Sequence, residues 1–112
     1  SGRAEALDRV ATIADSLGAP QAMAASMALA RAHVDEMITI PDSLMADMML
    51  LMRQTLNLVA EPACTASLGA TLGPLRDRVA GKRVGVLACG SNIGWERFNR
   101  YTSTAKMPLP PG

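Results

Sequence analysis

An α/β domain is the fold class this sequence predicts, and three observations predict it. Ala, Met and Leu supply most of the apolar side chains while β-branched residues are few, a balance that favours helices. Two apolar runs, Met37 to Ile40 and Lys82 to Cys89, break the helical spacing and read as strands. The second has a polar start followed by Val84, Val86 and Leu87. Nearly continuous apolar strands of that kind lie in parallel sheets with helices on both faces. The resulting order is helix, strand, helix, helix, strand, helix.

The elements follow along the chain. Ser1 to Pro20 stays open: Leu7, Val10, Ile13, Ala14 and Leu17 have helical spacing, and Gly18-Ala19-Pro20 would stop such a helix. Gln21 to Val34 predicts a helix with Met23, Met27, Ala30 and Val34 on one stripe. Pro41 closes the first strand. Asp42 and Ser43 are suitable N-caps for a helix from Leu44 to about Leu56. In it Met45, Met48, Met49, Met52 and Leu56 recur at spacings of three and four, with two apolar faces, so it is expected to be covered on more than one side. A methionine stripe can also mark an adaptable binding groove, but core packing is the favoured reading. Glu61-Pro62 opens the next helix, which runs through Cys64, Ala66, Leu68 and Ala70 until Gly73-Pro74. Leu75 to Val79 adds a turn. The second strand then empties into Cys89-Gly90-Ser91-Asn92, and Trp95 to Tyr101 forms a short last helix. Thr102 to Gly112, ending MPLPPG, reads as a flexible tail.

Composition narrows the function classes. The chain has 112 residues, enough for one small domain, and a net charge of +1 without a basic block, which argues against nucleic acid. The most apolar stretch, Leu44 to Ala60, is interrupted by Asp47 and Arg53, so no membrane span is expected. Two cysteines do not make a disulfide framework, and free thiols in a reducing cytoplasm are the simpler reading. A small polar loop at the carboxyl end of a parallel strand is where open α/β sheets bind ligands. GSNIG is not a dinucleotide fingerprint and GKR is not a phosphate-binding loop, so the residues alone stop at a ligand loop at Cys89 to Asn92.

Three segments in order add a resemblance. TIADSLGAP (Thr12 to Pro20), EPACTASLGA (Glu61 to Ala70) and GKRVGVLACGSNI (Gly81 to Ile93) resemble motifs of the pyridoxal-phosphate enzymes of the tryptophan-synthase β-subunit fold (fold type II). The closest branch is that of threonine dehydratase, serine dehydratase and serine racemase. The resemblance spans residues 1–101. It implies the C-terminal part of that family's large domain, with short parallel strands flanked by helices. It also implies β-elimination giving a 2-keto acid and ammonia, an amino-acid substrate, a homo-oligomer (a homodimer in its simplest form) and a cytoplasmic location. The family's Schiff-base lysine, phosphate-gripping loop and cation ligands precede the part present here. Lys82 and Lys106, the two lysines, stand in no comparable context. The chain therefore resembles a fragment with no catalytic residue and no metal site of its own, binding no cofactor alone. The competing reading is a non-catalytic interaction module that keeps the scaffold.

The resemblance also implies a cofactor-contact set. Cys89 matches the Ser or Cys that meets the pyridine nitrogen; a thiol is a weak neutral donor there. Gly90, Ser91 and Asn92 shape the turn beneath the ring, although a plain strand-to-helix turn explains them nearly as well. Glu61 has two readings, a carboxylate beside the ring or an anion at a helix start. Cys64 is expected to pack, His33 to be solvated, and Trp95 to cover the last helix's contact with the sheet.

Overall fold

The computed structural model describes residues 4–106. A 3-10 turn, Asp15–Leu17, is followed by α1 (Ala24–His33), α2 (Asp42–Leu56), α3 (Pro62–Leu72), α4 (Arg76–Val79) and α5 (Trp95–Thr102). The hub is α2, which buries Met45, Ala46, Met48, Met49 and Met52. It packs along α3 and against α5. The expected two covered faces are thus present: Cys64, Thr65 and Gly69 are buried on α3, and Phe98 on α5. Methionine suits this role because its unbranched thioether fills irregular gaps.

Two residues set the α2–α3 approach. A Cβ on Gly69 would come within 2.9 Å of Ile40 Cδ1 and 3.3 Å of Leu44 Cγ, so any larger residue there would crowd both side chains at this helix approach. The Thr65 hydroxyl, completely buried, donates toward the carbonyls of Pro62 (2.8 Å) and Met45 (3.0 Å), which satisfies the one buried polar side chain among the described residues.

Several expectations are corrected. Asp42 does not cap α2 through its side chain: the helix starts at Asp42 itself, with Pro41 in the capping position. Its carboxylate instead accepts hydrogen bonds from the Thr12 hydroxyl (2.6 Å) and the Ile13 N–H (3.0 Å), which fastens the N-terminal segment to the head of α2. That segment is not a helix. Only Asp15–Leu17 winds, and Ala6 and Leu7 reach back to Gln21 and Pro20 through one isolated antiparallel bridge. Leu7 and Leu17 are exposed, so the helical spacing there reflects no buried face.

The two strands do not form among the described residues. A strand needs an extended neighbour whose N–H and C=O groups face it. Along residues 83–90 the partners are groups on and beside α3: the Ser67 hydroxyl donates to the Leu87 carbonyl (3.1 Å) and the Glu61 N–H to the Gly90 carbonyl (3.2 Å). Met37 is exposed, while Ile40 lies against Gly69 rather than in a ladder. With no sheet to cover, Trp95 is 59% exposed and stands edge-on to Phe98, the aromatic that enters the core. At the C-terminus, α5 runs to Thr102 and the Lys106 N–H donates to Asp47 (2.6 Å). The remainder of the expected tail, residues 107–112, lies outside the described residues.

Candidate functional site

Helix α3 begins at Pro62, whose fixed φ suits a first turn and whose missing N–H would have had no helical partner. Glu61 precedes it in an extended conformation, and its N–H holds the Gly90 carbonyl. Ile93 N–H closes back on Ser91 C=O at 2.8 Å, so residues 91–93 form a tight turn just after Gly90, which is seated at the start of α3. Glu61 lies directly over Gly90: a Cβ at position 90 would come within 2.8 Å of the Glu61 carboxyl carbon. The approaching group is the end of the flexible Glu61 side chain, the carboxylate that the sequence singles out.

The turn borders a cleft of about 630 Å3. Its walls come from Met52 and Asn57 on and after α2, Ala60 and Cys64 around the start of α3, and Cys89, Gly90, Ser91 and Trp95 from the last loop and α5. Every lining residue is uncharged, so the wall offers thiol, hydroxyl and amide groups beside apolar surface. A second cavity, with room for about one water, is lined by Asp15, Glu61, Asn92, Arg97 and Tyr101 among others. The five residues singled out therefore converge on one turn but divide between two spaces. Cys89, Gly90 and Ser91 line the cleft; Glu61 and Asn92 line the small polar cavity. Cys89 is exposed and Cys64 buried. Neither Lys82 nor Lys106 lines either space.

Charge concentrates beside the smaller cavity. Arg97 donates to Asp15 (3.2 Å) and to the Tyr101 hydroxyl (3.2 Å). The hydrogen bond with Tyr101, and after it that with Asp15, holds the guanidinium pKa above its ordinary value. The same bond from Arg97 pulls the Tyr101 phenol below its ordinary value. Sequence reading missed Arg97, Asn57 and Ser67. Asn57 was legible as an asparagine ending a helix, since it adopts the left-handed conformation (φ 55°) and accepts a 2.8 Å bond from Arg53. Ser67 was legible in the spacing of Glu61, Cys64 and Ser67, which sets all three toward one side of α3. For Arg97 the one local signal is Tyr101, four residues on in α5; its bond to Asp15, 82 residues away, carries none.

Comparison with known proteins gives one family and several relatives. The family described as pyridoxal-phosphate dependent enzyme matches residues 1–90. Phenylserine dehydratase of Ralstonia pickettii is 41% identical over 90 residues, covering 80% of this chain and 28% of that protein. L-threonine ammonia-lyase of Thermotoga maritima is 30% identical over 99 residues, 88% of this chain and 24% of the relative. L-threo-3-hydroxyaspartate ammonia-lyase of a Pseudomonas species is 30% identical over 93 residues, 82% and 28% respectively. The chain thus spans about a quarter of the length of the curated relatives it matches.

Proposed function

This chain belongs to the pyridoxal-phosphate dependent enzymes, and from that membership we propose that it serves as part of a cytoplasmic ammonia-lyase that removes water from a 3-hydroxy amino acid, leaving a 2-keto acid and ammonia. Membership carries the family's α/β fold and, in intact members, pyridoxal phosphate. The three relatives named above carry the names of 3-hydroxy amino acids or of their deamination, which supports that substrate class.

The observation that carries the reading is the Cys89–Asn92 turn, held to the head of α3 and open to an uncharged cleft. The residues fit one end of the cofactor. An aromatic ring edge suits a wall of thiol, hydroxyl and apolar groups; a phosphate does not, because no cation stands in the lining. When bound, pyridoxal phosphate supplies the electron sink for breaking bonds at the amino acid's α-carbon. In this reading Cys89 Sγ would meet the ring nitrogen as a weak neutral donor, one that does not drive its protonation as a carboxylate would. Gly90, Ser91 and Asn92 would shape the turn that meets the ring, Glu61 holds that turn through its main-chain N–H, and its carboxylate would stand beside the ring. No residue of this chain takes the part of the Schiff-base lysine.

The test uses the whole protein that contains this segment. It is expected to release ammonia and 2-keto acid from 3-hydroxy amino acids. Cys89→Ser should keep elimination, and Cys89→Asp should lower elimination relative to transamination, because a carboxylate would hold a proton on the ring nitrogen. If Cys89→Ala and Cys89→Asp both match the parent, the ring-nitrogen role is wrong. If no 3-hydroxy amino acid is consumed, the substrate class is wrong.

A further inference from the structure

Both cysteines of the chain line the same cleft, although 24 residues separate them. What brings them together is legible in two hydrogen bonds. Glu61 N–H to Gly90 C=O (3.2 Å) and Ser67 Oγ to Leu87 C=O (3.1 Å) lay residues 87–90 along the first two turns of α3. The two clamps run in opposite chain directions, 61 with 90 and 67 with 87. Cys64 lies midway between the α3 partners, and Cys89 lies between the loop partners. Cys89 therefore crosses α3 at the level of Cys64. The two thiols also differ in access: Cys89 is exposed, while Cys64 is buried beside Met52, Ala60 and Leu68.

We propose that Cys64 and Cys89 form an oxidisable dithiol, closed to an intramolecular disulfide by a small-molecule disulfide such as oxidised glutathione. The exposed Cys89 thiolate attacks one sulfur of the oxidant, forming a mixed disulfide and releasing one glutathione thiolate. The Cys64 thiolate then attacks Cys89 Sγ and releases the second glutathione. The two cysteines lose two electrons and two protons in all; the oxidant takes both electrons, and the departing thiolates take up the protons. Closure suits the fold because the clamps already hold the two segments side by side, and the segment that carries Cys89, residues 80–94, has no helix or strand to distort. The bond consumes the thiol hydrogen of Cys89 and ties the rim of the cleft to α3. Oxidation would thus remove the Cys89 thiol donor from the cleft, whatever the cleft binds.

The experiment uses the full 112-residue chain and reads thiols, not activity. Equilibration with a reduced and oxidised glutathione series, acid quenching and mass spectrometry give the effective concentration of the Cys64–Cys89 pair. The same series in concentrated urea gives the value for the open chain. The native value should exceed the urea value by about tenfold or more, since the clamps replace the search of a flexible loop. Equal values, or a native value below the urea value, overturn the pairing. In Cys64→Ser, native buffer should leave a glutathione adduct on Cys89; in Cys89→Ser, adduct on the buried Cys64 should form at least about tenfold more slowly. Equal adduct rates would overturn the order of attack.

Discussion

Single residues in this chain act mainly by joining distant segments, and Thr65 shows how much one hydroxyl can carry. Its side chain is fully buried and faces the Met45 carbonyl of α2 as well as its own helix. Thr65→Val keeps the volume and removes the donor, which should cost about 1–2 kcal/mol in urea unfolding. Thr65→Ser, which keeps the hydroxyl, should lose less of that hydrogen-bond contribution. Tyr101 gives a pH prediction. The guanidinium of Arg97 favours the phenolate, so the folded phenol titrates below its ordinary value of about 10. A group whose folded pKa is depressed adds stability above its unfolded pKa and loses it as the pH falls through the folded value. At neutral pH the phenol is protonated in both states and contributes nothing. Tyr101 is the one tyrosine in the chain, so ultraviolet absorbance reads it alone. Its midpoint should lie lower in native buffer than in urea, and Arg97→Met should close the gap. An unchanged midpoint in Arg97→Met would assign the shift to something other than Arg97.

At the scale of elements, the helices were legible and the strands were not, for a physical reason. A helix satisfies its own hydrogen bonds, so the spacing of Met45, Met48, Met49 and Met52 is enough to place α2 and its buried side. The run Val84 to Ala88 says only that it is apolar; whether it pairs depends on an extended neighbour, and its neighbour here is α3. The same distinction divides the site. The Glu61-Pro62 start and the Cys89–Asn92 turn could be picked out as local motifs, but their meeting through the Glu61–Gly90 bond is a tertiary fact. One boundary can be tested directly. Helix α2 stops at Asn57, which takes the left-handed conformation that other L-residues with a Cβ resist. Asn57→Ala should cost about 1 kcal/mol, whereas Asn57→Gly should stay within a few tenths despite losing the exposed bond from Arg53. Equal losses in both variants would show that the Arg53 bond, not the backbone, sets the boundary.

For the whole molecule, surface area decides the outcome. The chain exposes 8254 Å2, roughly 40% more than a folded monomer of 11.8 kDa is expected to show. Its radius of gyration is 15.2 Å against about 13 Å for a compact domain of this length, and its shortest extent, 19 Å, leaves room for about two layers of helix. The excess is apolar in part: Val84, Val86, Leu87 and Trp95 are exposed near the cleft, and Leu56 and Leu58 beyond the end of α2. Water-exposed apolar area costs roughly 25 cal/mol per Å2 relative to burial, so association is favoured over a bare surface. The isolated chain should therefore self-associate, with sedimentation equilibrium at low micromolar concentration giving a mass above 11.8 kDa. Leu87→Asp should weaken association at least about tenfold and leave the helix content unchanged, because Leu87 is 75% exposed and lies outside the α2–α3–α5 core. A monomer with a cooperative melt would contradict this. It would mean that the methionines of α2, with Thr65, Gly69 and Phe98, hold the fold against that exposed surface unaided.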